Sequence, residues 1–226
     1  MKASPSARSW IAAGVRHELL TRALPALRHD MAAPVSVIRM ALLMLKRQVA
    51  APELDAAAAE QRVALIDDQI GALVTAIRSL RDWELAIGDH GITRSALVTQ
   101  CTGLMRAAFD LNGVTLEVDE SLTSEADEST WDGGAALRYL MLGVLGYLHD
   151  FVDELGSIAV TPDGSDALRF TATLRRPDQV DRMVEDHRAP RALAIDAVAL
   201  QSLADDLGYA VTVEPDAVRL VLALPR

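Results

Sequence analysis

The residues best suited to chemistry in this chain are Arg28-His29-Asp30-Met31-Ala32-Ala33-Pro34-Val35. They set a histidine beside a carboxylate, place a proline five residues on, and run directly into a periodic apolar segment. Imidazole is nucleophilic near neutral pH, so a histidine on the flank of a helix can take a phosphoryl group as a labile P–N bond and give it up again. Asp30 is placed to orient the ring or adjust its protonation, directly or through water. Pro34 removes one backbone N–H, which frees the carbonyl of Asp30 and bends the helix beside His29. A second stretch, His17-Glu18-Leu19-Leu20-Thr21-Arg22, has arginine where the first has proline, and no long seam begins behind it at the right distance. It reads as part of an N-terminal segment packing on the helices that follow.

Two long helices must carry this histidine. In the first, Val35, Ile38, Leu42, Leu45 and Val49 alternate spacings of three and four, a coiled-coil-like seam. In the second, Val63, Ile66, Ile70, Leu73, Ile77, Leu80 and Ile87 keep that rhythm with one break near Trp83 and Glu84. Pro52 cannot continue the first helix, and the short link around it implies an antiparallel hairpin. One hairpin cannot cover a seam on both of its members. A homodimer forming a four-helix bundle is the economical solution, and it leaves His29 on the outer flank.

Gly88-Asp89-His90-Gly91 marks a boundary, dividing the chain into 1–88 and 92–226. Beyond it the pattern predicts helices at 93–111, 134–153 and 192–207, the last ending at Gly208. Strands are expected at 114–118, 158–160, 167–174, 209–213 and 218–222, with turns at Pro162-Asp163-Gly164 and Pro215-Asp216. The expected fold class is α+β: a dimeric hairpin bundle followed by one sheet with helices on one face.

Composition narrows the function. The 226 residues carry 32 acidic against 22 basic side chains, a formal charge of −10, and no basic stripe, so nucleic acid is not an expected partner. Cys101 is the single cysteine; it lies among Leu97, Val98, Leu104 and Met105 and reads as a small buried apolar residue. No apolar run reaches membrane-spanning length, and residues 1–8 lack the plan of a secretion signal, so a cytoplasmic protein with no membrane partner is expected. His90, His149 and His187 have no metal-ligand spacing.

The hairpin, the His29-Asp30-x-x-x-Pro34 box and the apolar helix behind it resemble the dimerisation and histidine-phosphotransfer domain of sensor histidine kinases. From Gly113-Val114-Thr115-Leu116-Glu117-Val118 through the long helix after Asp132 to Val218–Leu224, the second half resembles their ATP-binding domain in its order of elements. It departs from them where nucleotide would be held. The kinases' magnesium- and phosphate-binding asparagines correspond to Gly143 and Tyr147. Their Asp-x-Gly-x-Gly turn has only Asp163-Gly164-Ser165-Asp166 as a counterpart, and their second glycine loop corresponds to the glycine-free Ala189-Pro190-Arg191-Ala192-Leu193.

A kinase-like dimer with a His box and a degenerate ATPase-like domain resembles the ChpT-type dimeric histidine phosphotransferases. The resemblance implies that His29 is the phosphoacceptor, that Asp30 orients it, and that receiver domains dock on Arg28, Met31, Pro34, Val35, Ile38 and Arg39. It implies response-regulator receivers and a hybrid histidine kinase as partners, and no bound cofactor, Mg²⁺ being supplied by the receiver. Ala33 stands where the kinases often carry Thr, Asn or Ser for receiver dephosphorylation, a reaction alanine cannot assist. Three other functions remain open: a non-catalytic adaptor that binds a kinase or response regulator, a kinase with an atypical nucleotide site, and a transcription cofactor or scaffold that reuses the fold.

Overall fold

The computed structural model describes residues 5–52, 55–83, 91–123, 128–175 and 193–224. Ile87, the boundary residues Gly88, Asp89 and His90, His187 and the 189–192 part of the glycine-free loop lie outside them. Five α-helices are described: α1 (Pro5–Val49), α2 (Ala56–Ser79), α3 (Arg94–Leu111), α4 (Gly134–Phe151) and α5 (Ala197–Leu207). The strands are β1 (Ile92–Thr93), β2 (Thr115–Val118), β3 (Thr130–Trp131), β4 (Leu155–Pro162), β5 (Ala167–Leu174), β6 (Val211–Val213) and β7 (Ala217–Val221).

The chain forms two compact units. One spans Leu24–Glu84 and is helical; the other joins the segment up to Ala23 to everything from Leu85 onward. In the helical unit α1 passes through Pro25 and Pro34 and ends with Lys46 and Arg47 in its last turn, cations that suit a helix C-terminus. Asp55 caps α2 by accepting from the Ala58 N–H at 3.0 Å.

In the second unit, five strands run in the order β2-β4-β5-β7-β6, with β2 parallel to β4 and every other pair antiparallel. Helices α3, α4 and α5 build one layer against this sheet, as expected. The first element of the unit after the helical one, β1, pairs only with β3, a two-residue ladder that no periodicity could reveal. Helix α5 begins at Ala197, not 192, because extended Asp196 caps it by accepting from the Ala199 N–H at 2.8 Å. Gly208 closes it at φ 78°, as its position predicted. Strand β4 reaches three residues earlier and two later than the 158–160 stretch, since β5 opposite offers partners from Leu168 to Leu174.

Helix α4 is the centre of the core. Every residue from Gly134 to Leu148 is buried, the behaviour of a helix apolar on nearly all sides; the one charged residue of that stretch, Arg138, is buried too and donates to Gln100 at 2.7 Å. A helix lying on a sheet should leave one face to solvent, so something must cover the fourth side. That cover is residues 5–23 of α1. Ala12, Val15, Leu19 and Ala23, spaced three or four apart, form a buried stripe, and Leu19 is 0% exposed. The N-terminal segment therefore packs on the sheet unit and not on the helices that follow it; Leu19 of its stripe lies against Gly143 and Gly146 of α4.

At the end of α4, Asp150 is locked in place with its side chain 1% exposed. It accepts from Arg22 at 2.8 Å, from the Ile195 N–H at 3.0 Å, and lies 3.2 Å from His149 Nδ1. Burial pushes its carboxyl up, but the hydrogen bonds from His149, Arg22 and Ile195 and the Arg22 charge outweigh it and hold the group at about 2. A carboxyl depressed in the folded state stabilises above its ordinary range and loses that contribution as pH falls. Asp150→Asn is expected to cost about 2 kcal/mol at neutral pH and to flatten the melting-temperature profile between roughly pH 4 and pH 2. Thermal unfolding across that range checks it.

Candidate functional site around His29

On the described part of α1, Arg28, His29 and Asp30 are all exposed. Met31 and Ile38 are half-buried, Val35 and Arg39 exposed, and Pro34 buried. The helical neighbours of His29 at three and four residues are Pro25, Ala26, Ala32 and Ala33, none of which brings a polar side chain. Among the described residues no side-chain hydrogen bond or ion pair engages the imidazole. The ring stands among alanines with both nitrogens open to an incoming group.

Helix geometry sorts the residues expected to assist. Consecutive side chains on a helix point about 100° apart, so neither Arg28 nor Asp30 faces the ring of His29. A direct contact between Asp30 and the ring is therefore not made by the helix itself. Arg39 is ten residues on, about 15 Å along the axis. It cannot touch a phosphoryl group held on His29, and only a docked partner could reach both. Arg39 lines a shallow concavity with Ser36, Met40, Leu42, Leu43 and Lys46. Pro34 is inside the helix, which stays helical through it; the carbonyl of Asp30, lacking its usual donor, faces the turn beside His29.

The seams remain largely uncovered within one chain. Val35, Leu42 and Val49 on α1 and Val63, Ile70 and Ile77 on α2 are exposed, and α2 contains no buried residue. His17 is exposed too, but it belongs to the segment that packs on the sheet unit, and Thr21 is tied back to the His17 carbonyl at 2.9 Å.

Gly143 and Tyr147, expected from the resemblance to stand where the kinases hold nucleotide, sit in apolar packing. A Cβ on Gly143 would lie 3.0 Å from Leu203, 3.3 Å from Leu200 and 3.8 Å from Leu19. Tyr147 is buried and stacks on Phe151. Asp163 is engaged by Arg219 at 2.7 Å, and Gly164 at φ 70° is the bend of the β4–β5 turn. Burial pushes the Cys101 thiol up to about 12, as suits a core residue. Among the described residues no cluster of His, Cys, Asp or Glu has the arrangement of a metal site, and no helix is long and apolar enough to cross a membrane.

No protein-family model matches the chain, and no curated protein matches it in sequence. Solved structures that resemble it are of histidine kinases. The cytoplasmic segment of histidine kinase QseC has 13% identity and a TM-score of 0.36, over 68% of this chain and 92% of that one. Acinetobacter baumannii histidine kinase AdeS has 9% identity and a TM-score of 0.34, over 86% and 98%. Histidine kinase ThkA, in complex with response regulator protein TrrA, has 10% identity and a TM-score of 0.35, over 98% and 66%. The described residues form two long helices followed by a mixed α/β sheet unit.

Proposed function

We propose that this chain is a histidine phosphotransferase of the ChpT type, relaying phosphoryl groups in a two-component phosphorelay. The observation that carries the reading is the setting of His29: an exposed, unengaged imidazole on a continuous helix, flanked by alanines and followed by a proline that loosens the next turn. One neutral ring nitrogen attacks the phosphorus of a receiver's aspartyl phosphate. The acyl P–O bond breaks, the aspartate leaves as carboxylate, and the imidazolium formed sheds its proton toward water near Asp30. The reverse step on a second receiver regenerates free His29. Magnesium sits in the receiver's acidic pocket in both steps.

One further feature supports this reading over kinase activity. The Gly143 position is filled by leucines from α5 and α1, and Tyr147 offers no ligand to a phosphate-bound metal. The exposed seams of α1 and α2 suit a second copy of the chain, whose matching stripe would bury them in a four-helix bundle. A hybrid histidine kinase and its response regulators are the expected partners, with Met31, Val35 and Ile38 meeting the receiver's apolar surface and Arg28 and Arg39 its acidic rim.

The test supplies phosphoryl groups from two sources, a phosphorylated receiver domain and γ-labelled ATP, and follows acid-labile label on the protein. Label from the receiver alone is the expected result. Label from ATP would instead make the chain a kinase, and label from neither source, with binding retained, an adaptor.

A further inference from the structure

We infer that residues 5–23 of α1 are a hinged strap, held on the sheet unit by arginine latches and able to open as a unit while that unit stays folded. The inference is independent of phosphoryl transfer at His29 and rests on three observations.

The strap seats on glycines. Leu19 lies against Gly143 and Gly146 of α4, where a Cβ would stand 3.8 Å and 3.5 Å from its methyl groups. These are ordinary van der Waals distances, so Leu19 packs normally into the groove made by α4 with Leu200 and Leu203 of α5, whose own methyl groups approach Gly143 more closely, at 3.3 Å and 3.0 Å.

The latches are three ion pairs graded by exposure. Arg8 meets Asp205 at 3.4 Å with both side chains over 40% exposed, and Arg16 meets Asp206 at 2.5 Å, half-buried. Arg22 reaches Asp150 at 2.8 Å and also donates to the Leu193 carbonyl at 2.9 Å. Coulomb attraction weakens with exposure and salt, so the outer latches give way before Arg22. The strap's edge is also incompletely packed. A solvent-open cavity of about 350 Å³ runs beside it, lined by Ile11, Gly14, Val15 and Glu18 on one side and Ile195 and Val198 on the other.

The hinge is Pro25, two residues beyond the end of the strap. Proline has no N–H to donate to the Thr21 carbonyl, so the helix lacks a rung where the strap meets the rest of α1. Bending there leaves the helix intact on both sides.

Two thiols in one full-length protein test this. Ala12, fully buried under the strap, is replaced in an Ala12→Cys variant, and native Cys101 inside the α3–α4 core reports global opening. Thiol labelling is followed by mass spectrometry on each site. The introduced thiol is expected to label about 10-fold or more faster than Cys101, and Arg22→Ala to accelerate it about 10-fold further while Cys101 does not change. Pro25→Ala is expected to slow it. Should Arg22→Ala also expose Cys101, the half-buried Arg16→Ala change gives the same comparison with less disturbance. Equal labelling rates at the two sites would overturn the strap, because it would then open only with the whole unit. Labelling at the rate of a free thiol would overturn it as well, since nothing would be latched.

Discussion

His29→Gln is expected to abolish acid-labile phosphoryl label on the protein, lowering transfer from a phosphorylated receiver by about 10³-fold or more. Glutamine keeps the length and polarity of the side chain but offers no nucleophilic nitrogen. Because His29 is exposed and unengaged, the fold should be indifferent, with stability unchanged within about 0.5 kcal/mol. The pairing of lost chemistry with an unmoved melting temperature is what separates a phosphoacceptor from a structural histidine. His17→Gln is the matched control: exposed as well, on the strap, it should retain full label. Label surviving in His29→Gln and vanishing in His17→Gln would reverse the assignment.

Gly133→Ala is expected to cost about 3 kcal/mol or more, the largest stability loss of any single methyl addition among the described glycines. Gly133 precedes α4 at φ 77°, a left-handed conformation that alanine adopts at a penalty of about 1 kcal/mol. The added Cβ would also collide with Tyr209, whose hydroxyl donates to the neighbouring Asp132 carbonyl at 2.7 Å. Both the start of the central helix and the residue joining α5 to β6 are pinned at this point. Tyr209→Phe removes the hydroxyl, so the double variant should be less unstable than the sum of the two single changes. Strict additivity in thermal or denaturant unfolding would show that the clash is relieved elsewhere and that the φ penalty is the whole effect.

The sheet unit was legible in the sequence because its elements are punctuated. β5 has the bounds its alternation predicted, the Asp163-Gly164 turn and the Gly208 cap sit where glycine is required, and α4 announces itself as a strongly apolar stretch with Arg138 as its one charge before His149. Two-residue strands such as β1 and β3 carry no period and were invisible. The strap was misread for a different reason. Ala12, Val15, Leu19 and Ala23 display a clear helical stripe, but periodicity says only that a face is covered, not by what. The matching signal lay over 120 residues away, in the glycines of α4 and in Asp150, Asp205 and Asp206. Around His29 the sequence supplied the residues, while helix geometry decided which of them share a face: it turns Arg28 and Asp30 away from the ring and puts Arg39 beyond the reach of one phosphate.

The strap also sets the order in which the molecule can be completed during synthesis. Its leucine at position 19 leaves the ribosome before the surfaces that receive it, Gly143, Gly146 and the α5 leucines at 200 and 203. At about 5–20 residues per second, the nascent stripe waits roughly 10–40 s for its groove. The strap is therefore packed well after it emerges, and throughout that interval its apolar stripe is open to chaperones or to a neighbouring nascent chain.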